Sequence, residues 1–129
     1  MKKILLVLLS VFLLFSCSGN TQNLSNTGIN SLDVINPDAD YVYYYGITCP
    51  HCVNVTDYFS ENDIMNKYKI EKREVWENDD NYKIFEVVLS DLGIADEKKG
   101  VPFMYRKSDK KYFSGDKEII EYFDKNIIK

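Results

Sequence analysis

Histidine is nearly absent from this sequence: His51 is the only one, and cysteine and proline occur three times each in 129 residues. So few ligating side chains, with no second Cys-x-x-Cys, leave no ready zinc framework, since zinc takes four protein ligands or three plus water. No apolar stretch reaches the ~20 residues of a membrane-spanning helix; the longest, Ile4 to Phe15, broken only by Ser10, has twelve. Positive charge is in deficit, with 16 Lys and Arg against 20 Asp and Glu. Such a surface does not attract phosphate backbones or anionic lipid, which argues against nucleic acid as a partner. No internal repeat is visible. What is present suits a folded core: 45% hydrophobic and 14% aromatic residues are too many for a disordered chain. The length allows one ordinary domain and little room for a second.

The N-terminus reads as an export signal. Lys2 and Lys3 precede the apolar run, which ends at Leu14-Phe15-Ser16-Cys17. A positive start and a short apolar core mark a signal peptide rather than a span. Leu14, Ser16 and Cys17 resemble a bacterial lipobox, in which the cysteine is lipidated after cleavage; Phe15 departs from the smaller residue usual there. An uncleaved anchor, or a plain secretory signal with an incidental Cys17, is the alternative. Residues 1–16 are thus expected as a lipoprotein signal peptide, 17–39 as the lipidated Cys17 and a polar tether, and 40–129 as the folded domain. About twenty tether residues have a root-mean-square reach of ~25 Å. Loss of Lys2 and Lys3 leaves 14 basic residues against 20 acidic ones, a formal charge of −6.

Within the domain, Asn36-Pro37-Asp38 marks a turn and Tyr41 to Gly46 a strand with half its tyrosines facing inward. Pro50 sits where a first helical residue belongs, opening a helix to about Asn62 whose inner face takes Val53, Tyr58, Phe59 and Ile64. Tyr68 and Ile70 begin a strand running to Val75 and Trp76, with Trp76 read as packing. Asp79-Asp80 is expected to cap a second helix with Ile84, Phe85, Val88, Leu89 and Leu92 inward and Gly93 at its end. Val101 to Arg106 and Lys111 to Phe113 form a hairpin around Lys107–Lys110. Gly115-Asp116 opens a last helix that buries Ile119, Ile120, Phe123 and Ile127. The order is βαβα then ββα: an α/β fold with a four-stranded mixed sheet flanked by helices.

With Cys17 in the export signal, Cys49 and Cys52 remain, in Cys49-Pro50-His51-Cys52. A bridge across so small a loop removes little chain entropy, so the pair suggests redox work, and disulfides persist outside the cytoplasm. Residues i and i+3 at a helix start fall within the ~4.4–6.8 Å between Cα atoms that a disulfide needs. Unpaired N–H groups and the helix dipole stabilise an anion at Cys49, and the thiolate is the attacking species. Cys52, one turn in and more buried, would resolve the mixed disulfide. His51 can donate a hydrogen bond or a positive charge to the Cys49 thiolate, which stabilises the reduced form and makes the disulfide a stronger oxidant. The competing reading is half a metal site, which would need a second copy or carboxylates.

Tyr41 to Cys52, reading YVYYYGITCPHC, resembles the first strand and active-site turn of thioredoxin-fold oxidoreductases, and Lys99-Gly-Val-Pro-Phe103 resembles that family's cis-proline segment. The resemblance covers about Asp40 to Ile128. It implies a cis Val101-Pro102 peptide beside Cys49 that offers Val101's backbone to an extended substrate; an ordinary trans proline is the alternative. The Pro-His pair and Val101 are similar to periplasmic disulfide oxidases of the DsbA type. The chain lacks room for their helical insertion, and its size is closer to glutaredoxin or a minimal thioredoxin. Where many thioredoxins place a buried acid, six positions before the first cysteine, this chain has Tyr43.

The resulting expectation is an extracytoplasmic thiol–disulfide oxidoreductase, lipid-anchored to a bacterial membrane and facing the periplasm or the cell exterior. It would act as a monomer without cofactor or metal on exported protein thiols, together with a redox partner protein. Oxidation is favoured over reduction or isomerisation. The alternative is a non-catalytic thioredoxin-fold binding module, or a lipoprotein delivering copper on Cys49 and Cys52.

Overall fold

A computed structural model describes residues 34–127, with side chains to residue 126. The expected signal segment, Cys17 and most of the tether lie outside the described residues, as does the side chain of Ile127. Among the described residues no helix is long and apolar enough to cross a membrane.

Strand β1 (Tyr41–Tyr45) is central, because β-branched and aromatic residues on both of its faces find cover. It runs parallel to β2 (Ile70–Glu74) and antiparallel to β3 (Phe103–Arg106). Strand β3 pairs antiparallel with β4 (Tyr112–Ser114), giving the order β2-β1-β3-β4. The crossover between β1 and β2 carries α1 (Pro50–Glu61) and the short α2 (Ile64–Lys67). Helix α3 (Asp79–Asp91) and a 3-10 turn (Asp96–Lys98) lead to β3, and α4 (Asp116–Ile127) follows β4. This is the βαβα–ββα order with a four-stranded mixed sheet.

Two cores flank the sheet. Val42 and Tyr44 pack with Val75, Phe85, Val88, Leu89 and Phe103 under α3. Tyr41 and Tyr43 pack with Val55, Phe59, Met104, Ile119 and Phe123 under α1 and α4. Helices on both faces therefore bury Tyr41, Tyr43 and Tyr44 alike, where alternation alone suggested that half would face out. Tyr44 stacks on Phe85 with ring centroids 4.6 Å apart, and its buried hydroxyl has no hydrogen-bond partner among the described residues. An unpaired buried hydroxyl carries a desolvation penalty. Tyr44→Phe is therefore expected to stabilise the fold by about 1 kcal/mol, raising the melting temperature by roughly 5 °C. A melting temperature unchanged or lowered in calorimetry would show that the hydroxyl is satisfied.

Several local expectations shift. Val53 is 50% exposed and Val55 is buried instead: with Cys49 as N-cap, the inward phase of α1 runs Cys52, Val55, Phe59. Ile64 is buried but belongs to α2, since Asp63 at φ 56° breaks the helix. Helix α3 is capped by Asn78, whose side chain accepts from Asn81 N–H at 2.9 Å; Asp79 and Asp80 fall in its first turn, where negative charge suits the dipole. The described end of the expected tether, residues 34–39, is docked on the domain. Ile35 is buried in the α3-side core, and Lys107 Nζ donates to the Asn36 and Pro37 carbonyls at 2.7 and 3.1 Å.

Candidate functional site

The turn after β1 delivers Cys49 to the start of α1. Its backbone N–H bonds Gly46 O at 3.1 Å, and it caps the helix in extended conformation, with Pro50 at the first helical position. Pro50 gives up no intrahelical bond there. The Cys49 sulfur accepts from Cys52 N–H at 3.2 Å and donates to the Val101 carbonyl at 3.7 Å. Val101–Pro102 is a cis peptide. Fifty-two positions of sequence are thus closed onto one sulfur.

Both thiols are free and equally buried, each 3% exposed, so exposure does not separate their roles. Their partners do. Cys49 accepts a helix N-terminal N–H, an arrangement that favours an anion. Burial, and then hydrogen bonding to Cys49, pushes the Cys52 thiol up to about 12. Tyr43 stands at the position where many thioredoxins carry a buried acid. Its hydroxyl donates to the Cys52 carbonyl at 3.3 Å, and Thr56 Oγ1 donates to the same oxygen at 3.0 Å. Burial raises the Tyr43 pKa far above its ordinary value, so Tyr43 is a fixed donor to the helix rather than a base for Cys52.

His51 is not bonded to Cys49. Its Nδ1 lies 3.0 Å from Asp116 Oδ2 at the first position of α4, and Asn54 Nδ2 donates to the same oxygen at 2.7 Å. The Asn54 bond, then the His51 bond, hold the Asp116 carboxyl below its ordinary range. Neither Asp116 nor Asn54 was a site candidate from sequence. Asp116 carried only a helix-start signal and Asn54 only that of a polar helix residue.

Exposed apolar side chains flank the turn that leads to Cys49. Ile47, two positions before Cys49, is 57% exposed. Trp76, expected as packing, is 53% exposed and lies across Gly46. A groove of about 170 Å³ runs from Val101 along Trp76, Tyr82, Phe85 and Leu89, with Glu86 and Lys99 also lining it. A methyl added at Gly46 would meet the Trp76 indole at 2.2 Å. Gly46→Ala is therefore expected to displace the ring and red-shift the emission of the chain's single tryptophan; an unchanged spectrum would mean the indole does not rest there. Among the described residues no three His, Cys, Asp or Glu side chains gather as a metal site.

No protein-family model matches the chain, and no curated protein matches it. Solved structures do. Holo glutaredoxin C1 from Populus tremula x tremuloides aligns with TM-score 0.50 and 17% identity, over 69% of this chain and 71% of that one. A buckwheat glutaredoxin in complex with glutathione aligns with TM-score 0.49 and 16% identity, over 68% of this chain and 71% of that one. Wheat glutaredoxin gives 0.48 and 20%, over 68% of this chain and 71% of that one. The strand order, the crossover helix and the first of these alignments show the glutaredoxin and thioredoxin-like fold.

Proposed function

We propose that this chain is an extracytoplasmic thiol–disulfide oxidoreductase that exchanges disulfides with exported proteins, anchored to a bacterial membrane through lipid on Cys17. The observation that carries the redox reading is Cys49 itself. It caps α1, its sulfur meets Cys52 N–H at 3.2 Å and the carbonyl before a cis proline at 3.7 Å, and a second free thiol lies one turn away. The export and anchoring part of the reading is supported by Lys2, Lys3, the run Ile4–Phe15 and Cys17.

The Pro50-His51 pair and Val101, similar to those of disulfide oxidases, support oxidation of substrate over reduction or isomerisation. A substrate thiolate attacks Cys49 Sγ of the Cys49–Cys52 disulfide, the S–S bond breaks, and Cys52 leaves as a thiolate and takes up a proton. A second substrate thiolate attacks the substrate sulfur of the mixed disulfide, which releases the Cys49 thiolate. The substrate has lost two electrons to the protein's dithiol, and a disulfide-bearing redox partner protein takes them off again.

The groove favours polypeptide substrates. Its walls are Trp76, Tyr82, Phe85, Leu89 and Val101, and its one lining cation, Lys99, sits 2.5 Å from Asp96 with Glu86 also lining the groove. An apolar side chain flanking a substrate cysteine fits those walls.

The test is equilibration of the full chain, in detergent, against defined glutathione ratios with alkylation of the remaining thiols. A couple near about −120 mV is that of a disulfide donor, and one near about −270 mV that of a reductase. Absence of a Cys49–Cys52 disulfide at every ratio would overturn the redox reading.

A further inference from the structure

We infer that Asp116 is a positioning residue that ties His51 to α4, away from the Cys49 sulfur, and so makes the Cys49–Cys52 disulfide a weaker oxidant than Cys-Pro-His-Cys would otherwise be. The inference rests on the redox reading above and adds to it a residue outside the motif.

Asp116 is placed from two sides. Gly115, at φ +90°, donates its N–H to the Pro102 carbonyl at 2.9 Å, so the start of α4 is fastened to the cis-proline segment. From the other side, His51 and Asn54, one helical turn apart on α1, both reach Asp116 Oδ2. The second oxygen, Oδ1, accepts from Lys117 N–H at 3.0 Å. The carboxylate is therefore fully engaged and only 16% exposed, while the His51 ring it holds is 70% exposed.

The effect on redox chemistry has a definite sign. A carboxylate accepts only, so His51 Nδ1 is the donor and its proton is directed at Asp116. That N–H is withdrawn from Cys49, whose sulfur instead accepts from Cys52 N–H at 3.2 Å. When His51 is protonated, Asp116 pairs with its charge and holds it on the α4 side; when it is neutral, Asp116 still draws its N–H away from the sulfur. In both states the thiolate is less favoured than it would be next to a free histidine. A less favoured thiolate means a less stable reduced form and a weaker oxidant.

The experiment compares wild type and Asp116→Asn, each as the full chain in detergent, by glutathione equilibration with and without His51→Ala. Asp116→Asn replaces the charged acceptor that draws the His51 proton with a weaker neutral one. It is expected to shift the equilibrium about tenfold toward the dithiol, a rise of about 30 mV in potential. In the His51→Ala background the same change should move the equilibrium less than about threefold, because the effect passes through the ring. Should the asparagine variant misfold, Asp116→Ser keeps an oxygen for Lys117 N–H and removes the contact to α1, with the same shift expected. Equal potentials for wild type and variant, or equal shifts with and without His51, would overturn the inference while the redox reading stands. If wild type forms no Cys49–Cys52 disulfide, that reading falls and this inference with it.

Discussion

Cys49→Ser is expected to reduce disulfide exchange to the uncatalysed background, a loss on the order of 10³-fold or more, since removal of a nucleophile eliminates the covalent route. The structure assigns the larger loss to this cysteine rather than to Cys52. The Cys49 sulfur is the one at the N-cap of α1, in contact with the carbonyl before the cis proline. Serine retains the geometry, and its hydroxyl can still accept Cys52 N–H, but it is not ionised at neutral pH and cannot form the mixed disulfide. Cys52→Ser should behave differently. The nucleophile survives and the resolving thiol is gone, so a mixed disulfide with substrate accumulates and is visible as an added mass on non-reducing gels. Equal, complete loss in both variants with no trapped species would argue that the two sulfurs act as one unit, as a metal site would. A trapped species on Cys49→Ser instead would exchange the two roles.

The cysteine pair and its helix were legible because each depends on neighbours in sequence, and the cis proline because Lys99 to Phe103 resembles a segment of a known family. A proline directly after a cysteine reads as a helix start, and i, i+3 spacing places two thiols on one turn. Helix phase was harder. Val53 and Val55 are both valines, and only the N-cap at Cys49 sets the phase that buries Val55 and leaves Val53 half exposed. The tyrosines of β1 could not reveal that both faces of the sheet are covered, since that depends on where α3 and α4 dock. His51 read as a partner for Cys49 because both stand in one motif. Its actual partner arrives with α4, and the Asn54 that shares that carboxylate is 62 positions from it in sequence. An aspartate after a glycine carries the same signal whether it caps a helix or also reaches across to another one. Asn78 shows the same ambiguity in milder form: three consecutive residues, Asn78, Asp79 and Asp80, are all good N-caps, and only the chain's entry angle selects the first.

Alkaline pH is expected to destabilise the reduced protein steeply, and earlier than the oxidised one. Burial first, then the hydrogen bond to Cys49, raises the Cys52 thiol from 9.0 to about 12. Burial likewise raises Tyr41, Tyr43 and Tyr44 well above the ordinary tyrosine value of 10.0, and Tyr58 to about 12. In the unfolded chain Cys52 gives up its proton near pH 9 and the tyrosines near 10. The folded protein holds those protons longer, so over this range the unfolded state binds fewer, and stability falls as pH rises. The contribution of Cys52 is fully present below about pH 9 and is lost progressively towards pH 12. The oxidised protein has no Cys52 proton to lose, and its decline begins only near pH 10 with the tyrosines. Denaturant unfolding of both forms at pH 7, 9.5 and 10.5 checks this: the gap between them should widen at 9.5 in favour of the disulfide form. Parallel curves for the two forms would show that the fold does not hold the Cys52 proton. The same protonated thiol bears on function, because a Cys52 that stays neutral at pH 7 attacks a mixed disulfide slowly. Conjugates through Cys49 should then be long-lived even in wild type, and should shorten in lifetime as pH rises toward 9.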